Sequence, residues 1–222
     1  MFGHTFALNH ARLTALPTGA LHWPEKGLLA VGDLHLGRSE RTAREGHSLL
    51  PPYETLHTLD RLQAEIDSAR PETLVLVGDS FDDMAAARDL ADDILARIHR
   101  IAAGRRLVWI AGNHDPGQID LPGDNLGSFR ADPLVFRHIA TTEGQGEVSG
   151  HYHPKARLTL RGQRISRPCF VVDRDRVILP AFGTYTGGLD VRNAAFSGLI
   201  RPDAMLLLTG RRITALPLCA AA

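Results

Sequence analysis

Three stretches of the chain end an apolar run in polar side chains that could do chemistry. "GLLAVGDLH" supplies Asp33 and His35, "TLVLVGDS" supplies Asp79, and "LVWIAGNHD" supplies Asn113, His114 and Asp115. Further on, "VFRHI" adds His138 and "SGHYHP" adds His151 and His153. Carboxylates, imidazoles and one carboxamide, with no thiolate, suit Mn²⁺, Fe, Zn²⁺ or Mg²⁺ rather than a soft-metal site. In Asp-x-His and His-x-His an extended backbone sends both side chains to one side, so both can reach one centre. Taken singly, each group is ordinary. A Gly-Asp after a strand is usually a turn, an Asn-His-Asp usually a loop, and a lone histidine such as His138 more often a core or surface residue than a ligand. Their joint occurrence, in this order and at strand ends, is what points to a metal site. His4, His10, His22, His47, His57 and His99 keep the ordinary reading.

The elements that must carry these groups can be read from apolar periodicity. The runs at 27–33, 73–79 and 107–113 are short and continuous, as in strands covered on both faces. Between them, Leu56, Leu59, Leu62 and Ile66 mark a helix that begins after Pro51-Pro52 and stops before Pro71. Leu90, Ile94, Leu95, Ile98 and Ile101 mark a second, ending near Gly104. The result is a βαβαβ unit with right-handed crossovers and a parallel sheet. Ligands of such sheets bind outside the carboxyl ends of the strands, where Asp33, Asp79 and Asn113 stand. After residue 130, "LVFRHI", "EVSG", "CFVV" and "RVILPAF" read as short strands with no long helical pattern, predicting a second, more antiparallel sheet. The fold class expected is α/β: a two-sheet αββα sandwich, one domain over residues 1–222.

Bulk properties narrow the function. Hydrophobic content of 44% with 23% charged residues is that of a globular chain and excludes a disordered or membrane-spanning class. The start, "MFGHTFALNH", lacks a charged segment followed by an apolar one, so a cytoplasmic location is expected. Cys169 and Cys219 stand far apart, in no metal-type spacing, and read as buried, reduced thiols. A net charge of zero argues against coating nucleic acid through overall charge, though it leaves room for a local patch. "KARLTLRGQRISR" is such a patch: it holds Lys155, Arg157, Arg161, Arg164 and Arg167 and no acid. With a turn at "RGQ" it forms a hairpin, Lys155 and Arg157 sharing a face to which the returning strand adds Arg164. It can serve as a charged edge that resists aggregation or as a contact for a nucleic-acid backbone. Lys155, Arg157 and Arg164 are therefore candidate substrate-binding residues. Arg38 joins them, either facing a phosphate or sitting as a solvated loop arginine.

The ordered series Asp-x-His, Gly-Asp-x-x-Asp, Gly-Asn-His-Asp, a later His and Gly-His-x-His resembles the calcineurin-like metallophosphoesterase superfamily, and "DLHLG" resembles its nuclease branch. "LHWPEKGLLAVGDLHLGRSERTAREG", "VSGHYHPKARL", "RPCF" and "LPAFGTYTGG" are similar to the ligase-associated DNA-damage-response endonucleases of bacteria. The resemblance implies that Asp33, His35 and His153 bind one divalent ion and Asn113, His138 and His151 another. Asp79 would bridge the two, and His114 would be the catalytic histidine beside the scissile phosphate. Asp82 departs from that branch, where a histidine often stands at this position, but an acid there is common elsewhere in the superfamily.

Also implied are Mn²⁺ as the first candidate metal, DNA as substrate, a role in DNA repair, and a functional link to a DNA ligase and a helicase. The chemistry is consistent. Two cations about 3.5–4 Å apart generate hydroxide between them and clamp an in-line displacement, while His114 can protonate the leaving oxygen. Asp115 could orient His114 or cap the following turn, and Arg38 could assist at the phosphate. A small-molecule phosphoesterase is the alternative within enzymes. A metal-free interaction scaffold on the same fold is a third, and the filled ligand positions argue against it.

Overall fold

The computed structural model describes residues 3–47, 50–160 and 162–221; Arg161, which the sequence reading counted in the basic patch, lies outside the described residues. The chain opens with β1 (His4–Leu8), β2 (Ala11–Ala15) and β3 (Leu21–Trp23), an antiparallel meander. The β1–β2 turn is Asn9-His10 with both residues at positive φ, the geometry that a two-residue hairpin requires. Then follow β4 (Leu28–Val31), α1 (Arg38–Arg44), α2 (Glu54–Ala69), β5 (Thr73–Val77), α3 (Met84–Arg88), α4 (Asp92–Ala102), β6 (Arg106–Ile110) and β7 (Asp124–Leu126). These strands make one seven-stranded sheet in chain order, antiparallel from β1 to β4 and parallel from β4 to β7. The expected parallel unit is present, but the sheet as a whole is mixed, because the tight turns of the meander return each strand directly beside the last.

The second sheet draws on β8 (Ser128–Ala131), β9 (Leu134–Arg137), β10 (Glu147–Ser149), β11 (Lys155–Leu160), β12 (Gln163–Val172), β13 (Arg176–Ile178), β14 (Met205–Leu208) and β15 (Thr214–Pro217). Its order is β15-β14-β12-β13-β10-β9-β8, with β11 paired to β12 off this path. It is also mixed: β10 runs parallel to both β9 and β13, and the remaining pairs are antiparallel. Only Gly127 separates the edge strand β7 of one sheet from the edge strand β8 of the other.

Alternation along the strands builds the layers. Leu28, Ala30, Val75, Val77, Val108 and Ile110 face the second sheet, meeting Phe136, Val148, Phe170 and Leu207. Leu29, Val31, Leu74, Leu76, Leu107 and Trp109 face outward against Leu59, Leu62 and Ile66 of α2 and Ile94, Ile98 and Ile101 of α4. Runs without polar interruption are what this burial on both faces demands. The outer face of the second sheet packs Cys169, Val171 and Ile178 under Tyr152, Val191 and Phe196, from loops and a 3₁₀ turn rather than an α-helix. Cys219, expected to be buried, is exposed in a 3₁₀ turn near the end of the described chain. No helix among the described residues is long and apolar enough to cross a membrane.

Candidate metal centre

The backbone that carries the candidate ligands is not extended, as the Asp-x-His and His-x-His spacings suggested. Asp33, His35, Asp79, His151 and His153 all have left-handed φ, between 44° and 72°. The chain coils sharply as it leaves each strand, and contacts between loops hold it there. Asp33 N–H donates to Gly78 O (3.2 Å), His35 N–H to Asp79 O (2.9 Å) and Leu36 N–H to Ser80 O (2.9 Å), so the loops after β4 and β5 stay zipped together. His151 N–H donates to the Asp33 carboxylate at 3.0 Å, fastening the loop after β10 to the one after β4.

The glycine that precedes each polar residue has a reason at two positions. A Cβ on Gly78 would stand 2.2 Å from His138 Nδ1, and one on Gly112 would stand 2.1 Å from Asp79 Oδ1. Only a bare Cα lets the neighbouring ligand approach so closely. Asp115 takes part in the same assembly. Its fully buried carboxylate accepts from the N–H groups of Ser80 (2.7 Å), Phe81 (3.1 Å) and Gly112 (3.0 Å), tying the loop after β5 to the loop after β6. Burial pushes its carboxyl above the usual range, the Phe81 amide works against that, and the nearby charge of Asp79 adds to it.

Two clusters of ligand atoms result, and His35, Asp79 and His114 also converge between them. In the first, Asp33, His35 and His153 converge, with His153 Nε2 3.3 Å from both Asp33 Oδ1 and His35 Nε2. In the second, Asp79, His138 and His151 converge: His138 Nε2 is 3.4 Å from Asp79 Oδ2 and 3.2 Å from His151 Nδ1. Asn113 Oδ1 joins it, 3.0 Å from His138 Nε2. Asp79 Oδ2 also lies 3.8 Å from His35 Nε2, so this carboxylate stands between the clusters. The donor set passes a chemical test for divalent cations. Ring nitrogens face one another in pairs beside carboxylates, an arrangement that shares one positive charge better than several protons. With its proton on Nδ1, His138 donates to Val77 O (3.2 Å), leaving the Nε2 lone pair for the cluster.

Electrostatics follow the contacts. Burial works to raise the Asp79 carboxyl, but the hydrogen bond and charge of His138, the His114 amide and His35 bring it down to about 2. For His138 burial favours the neutral ring, yet the bond to Asp79 and the charge of Asp33 outweigh it and the value rises. His151 moves the other way, lowered by burial and by its neighbour His138.

His114 sits at the edge of this centre. Its N–H donates to Asp79 Oδ1 (2.9 Å), and its ring packs edge-on to His35 with centroids 5.0 Å apart. Sequence reasoning did not find the partners that hold it. His114 Nδ1 lies 2.9 Å from the Asp82 carbonyl and 3.0 Å from Arg41 Nη1, which itself donates to that carbonyl at 2.9 Å. The buried Asp82 side chain places Oδ1 2.9 Å from His35 Nδ1, within contact distance but without hydrogen-bond alignment. Burial opposes the charge on Asp82, while His35, Arg38 and Arg41 favour it and hold its carboxyl below the usual range. The signal was present in "RSERTAR", where Arg38, Arg41 and Arg44 recur every third residue on α1. Each pairs with the acids after β5: Arg38 and Arg41 with Asp82, Arg44 with Asp83. Arg38 is thus a helix residue rather than a loop residue, 3.3 Å from Asp82 Oδ1.

In the basic hairpin, register sets Arg157 opposite Ser166 and Thr159 opposite Arg164, which puts Arg157 and Arg164 on one face. Lys155 Nζ donates to Thr186 O at 3.3 Å.

A sandwich of two mixed sheets with two histidine–carboxylate clusters at the strand ends defines a metallophosphoesterase. The chain belongs to the calcineurin-like phosphoesterase family, whose sequence model matches residues 27–169. Among solved structures it is similar to the nuclease MPE of Pseudomonas putida, at 28% identity and a TM-score of 0.73, over 96% of this chain and 100% of that one. The phosphoesterase Yfce of E. coli matches at 12% identity and a TM-score of 0.36, over 88% of this chain and 94% of that one. No curated protein matches the sequence.

Proposed function

We propose that this chain is a two-cation phosphodiesterase that cuts nucleic-acid phosphodiester bonds, an endonuclease working in DNA repair in the cytoplasm. The observation that carries the reading is one carboxylate, Asp79, standing between two ligand clusters with His114 alongside. The full-length likeness to a nuclease supports nucleic acid over a small phosphoester. Asp33, His35 and His153 would hold one cation; Asn113, His138 and His151 the other; Asp79 both, with Mn²⁺ the first candidate for each. When bound, such cations neutralise charge on phosphate oxygens and make water acidic enough to attack at neutral pH.

The chain's own groups supply the rest. Asn113 is a neutral donor, which leaves net positive charge in a loaded site for an anionic substrate. His114 is the proton donor to the leaving oxygen. When Arg41 donates to Nδ1 the neutral ring keeps its proton on Nε2 and can only hydrogen-bond the leaving oxygen; the doubly protonated ring, its Nδ1–H donated to Asp82 O, is the form that gives up the Nε2 proton and returns to neutral. Asp115 holds the loop that carries Asn113 and His114 in place.

The test is a substrate panel with Mn²⁺-loaded protein: closed circular DNA, linear DNA, a generic phosphodiester and a phosphomonoester. Nicking of the circle together with diester hydrolysis is the expected result. Hydrolysis of monoesters or nucleotides without cleavage of any DNA would replace this reading with a small-molecule phosphoesterase. Inactivity with every divalent cation would make the chain a scaffold. The repair assignment, with its functional link to a DNA ligase and a helicase, rests on the resemblance of "VSGHYHPKARL" and "LPAFGTYTGG". A gene disruption that leaves cells no more sensitive to DNA damage would remove it.

A further inference from the structure

A cavity of about 600 Å³ opens along the β11–β12 hairpin, and its lining includes Arg157, Thr159, Arg164, Ser166 and Arg192. Four of these residues share one face of the β11–β12 hairpin. Arg192 comes from the loop that runs along the other edge of β11, where Lys155 N–H donates to Leu189 O and Val191 N–H to Lys155 O. One carboxylate serves this group. Asp190 receives Arg192 at 2.9 Å and Arg157 at 3.5 Å, which fixes two guanidiniums side by side. Arg164 is exposed and has no acidic partner within ion-pair distance among the described residues, leaving three guanidiniums against one carboxylate. Two hydroxyls, on Thr159 and Ser166, stand among them. Guanidinium forks with hydroxyl donors match the oxygens of a phosphate.

The cavity is bound to the metal centre through the chain. β11 starts two residues after His153. The loop that carries Arg192 descends from Gly183, whose N–H donates to Asp33 O at 3.0 Å. At roughly 3.3 Å per extended residue, Arg157 and Thr159 stand at most about 13–20 Å along the chain from His153. A strand rising 3.4 Å per nucleotide covers that distance in about four to six nucleotides.

Building on the nuclease reading, we propose that this arginine cup is a backbone-phosphate site that grips the substrate no more than about four to six nucleotides from the bond being cut. It thereby sets a minimum length for tight binding. Arg192, which sequence reasoning did not single out, supplies one wall and Asp190 prearranges it. The cup takes phosphate without reading bases, so it favours length over sequence.

The experiment measures KM and its salt dependence for single-stranded oligonucleotides of 4 and 12 nucleotides. The proteins are the Mn²⁺-loaded native chain and the double variant Arg164→Ala, Arg192→Ala. In the native chain, KM should fall sharply from the short to the long substrate. In the variant, KM for the 12-mer should rise about tenfold, the scale of two exposed charge contacts. The log–log salt slope should flatten by about 0.7 for each lost phosphate contact. Arg164→Glu, at an exposed side chain with no acidic partner among the described residues, tests the same point if the double variant does not fold, and should raise KM for the 12-mer alone. A native KM independent of length, or a variant with native length dependence and salt slope, overturns the cup and leaves the nuclease reading standing. Failure to cleave any oligonucleotide overturns the cup, and failure on the circular DNA as well overturns that reading with it.

Discussion

Asp82→Ala is the substitution that most directly probes how the centre is held. Asp82 Oδ1 lies 2.9 Å from His35 Nδ1, and in the proposed ligand assignment His35 holds the cation of Asp33 and His153 and not that of Asn113, His138 and His151. Removing an outer partner of a metal ligand costs about 10–100-fold in metal affinity. The loss should fall on one of two binding events. A Mn²⁺ titration of chelator-stripped protein by calorimetry should therefore show one site weakened about 10–100-fold and the other near its native value. Asp82→Asn keeps an acceptor oxygen and gives up the charge. The oxygen still meets His35 Nδ1 but the attraction of the charge is gone, so its effect should be smaller, about 3–10-fold, at the low end of what outer partners of metal ligands contribute. The alanine variant keeps the backbone carbonyl that meets His114 Nδ1, so excess Mn²⁺ should recover much of the turnover. Equal weakening of both sites would mean that Asp82 supports the loop as a whole. Affinities within twofold of native at both would refute the role given to it.

Mn²⁺ should raise the melting temperature of chelator-treated protein, by the mass action of a ligand that prefers the native state; no shift with any divalent cation would exclude the metal centre. Mn²⁺ affinity should climb with pH through and beyond the ordinary imidazole value of 6.5, because His138 holds its proton above that value and must release it to bind. An affinity flat between pH 6 and 8, both values chosen about that range, would contradict this. His114→Ala should keep both metals while turnover on a poor leaving group drops by about 10²–10⁴, and DNA cleavage at the native rate would show its role to be wrong. The Cys169 thiol, pushed up to about 12 by burial, should resist a thiol reagent in the folded protein, whereas the exposed Cys219 reacts; two equivalents labelled before denaturation would show otherwise.

Much of the fold was legible because both faces of β4, β5 and β6 are buried, which forces the uninterrupted apolar runs read as parallel strands. The stripes of α2 and α4 were legible for the same reason, each helix having a single face to bury. The N-terminal meander was not, since β1 carries exposed His4 and Thr5 and its alternation is weak over five residues. α1 and α3 escaped because helices of seven and five residues have too few turns for a periodic signal. Residue types and order picked out the groups that the loops bring together at Asp79. They did not give the backbone at those groups, because left-handed φ at Asp or His has no local mark in sequence. Asp82 was visible only as an unusual acid. Its partners, His35 and the α1 arginines, lie more than 35 residues away along the chain and meet it only once the loops are zipped.

The left-handed residues also bear on the order in which the molecule forms. An L-residue in that region costs roughly 1–2 kcal/mol on its own, and five candidate ligands occupy it. An unfolded chain will therefore seldom sample the ligand arrangement, and short fragments of it should capture metal poorly. The expected order is that the loops reach it after the sheets have paired, when the contacts from Asp33 to Gly78 and from His35 to Asp79 can form. On that order the ion would meet a finished protein instead of nucleating one. In kinetic language, interactions absent from the folding transition state alter the unfolding limb alone. Mn²⁺ should leave the refolding rate of this chain unchanged and slow its unfolding, so that metal confers persistence on the native state without hastening its arrival.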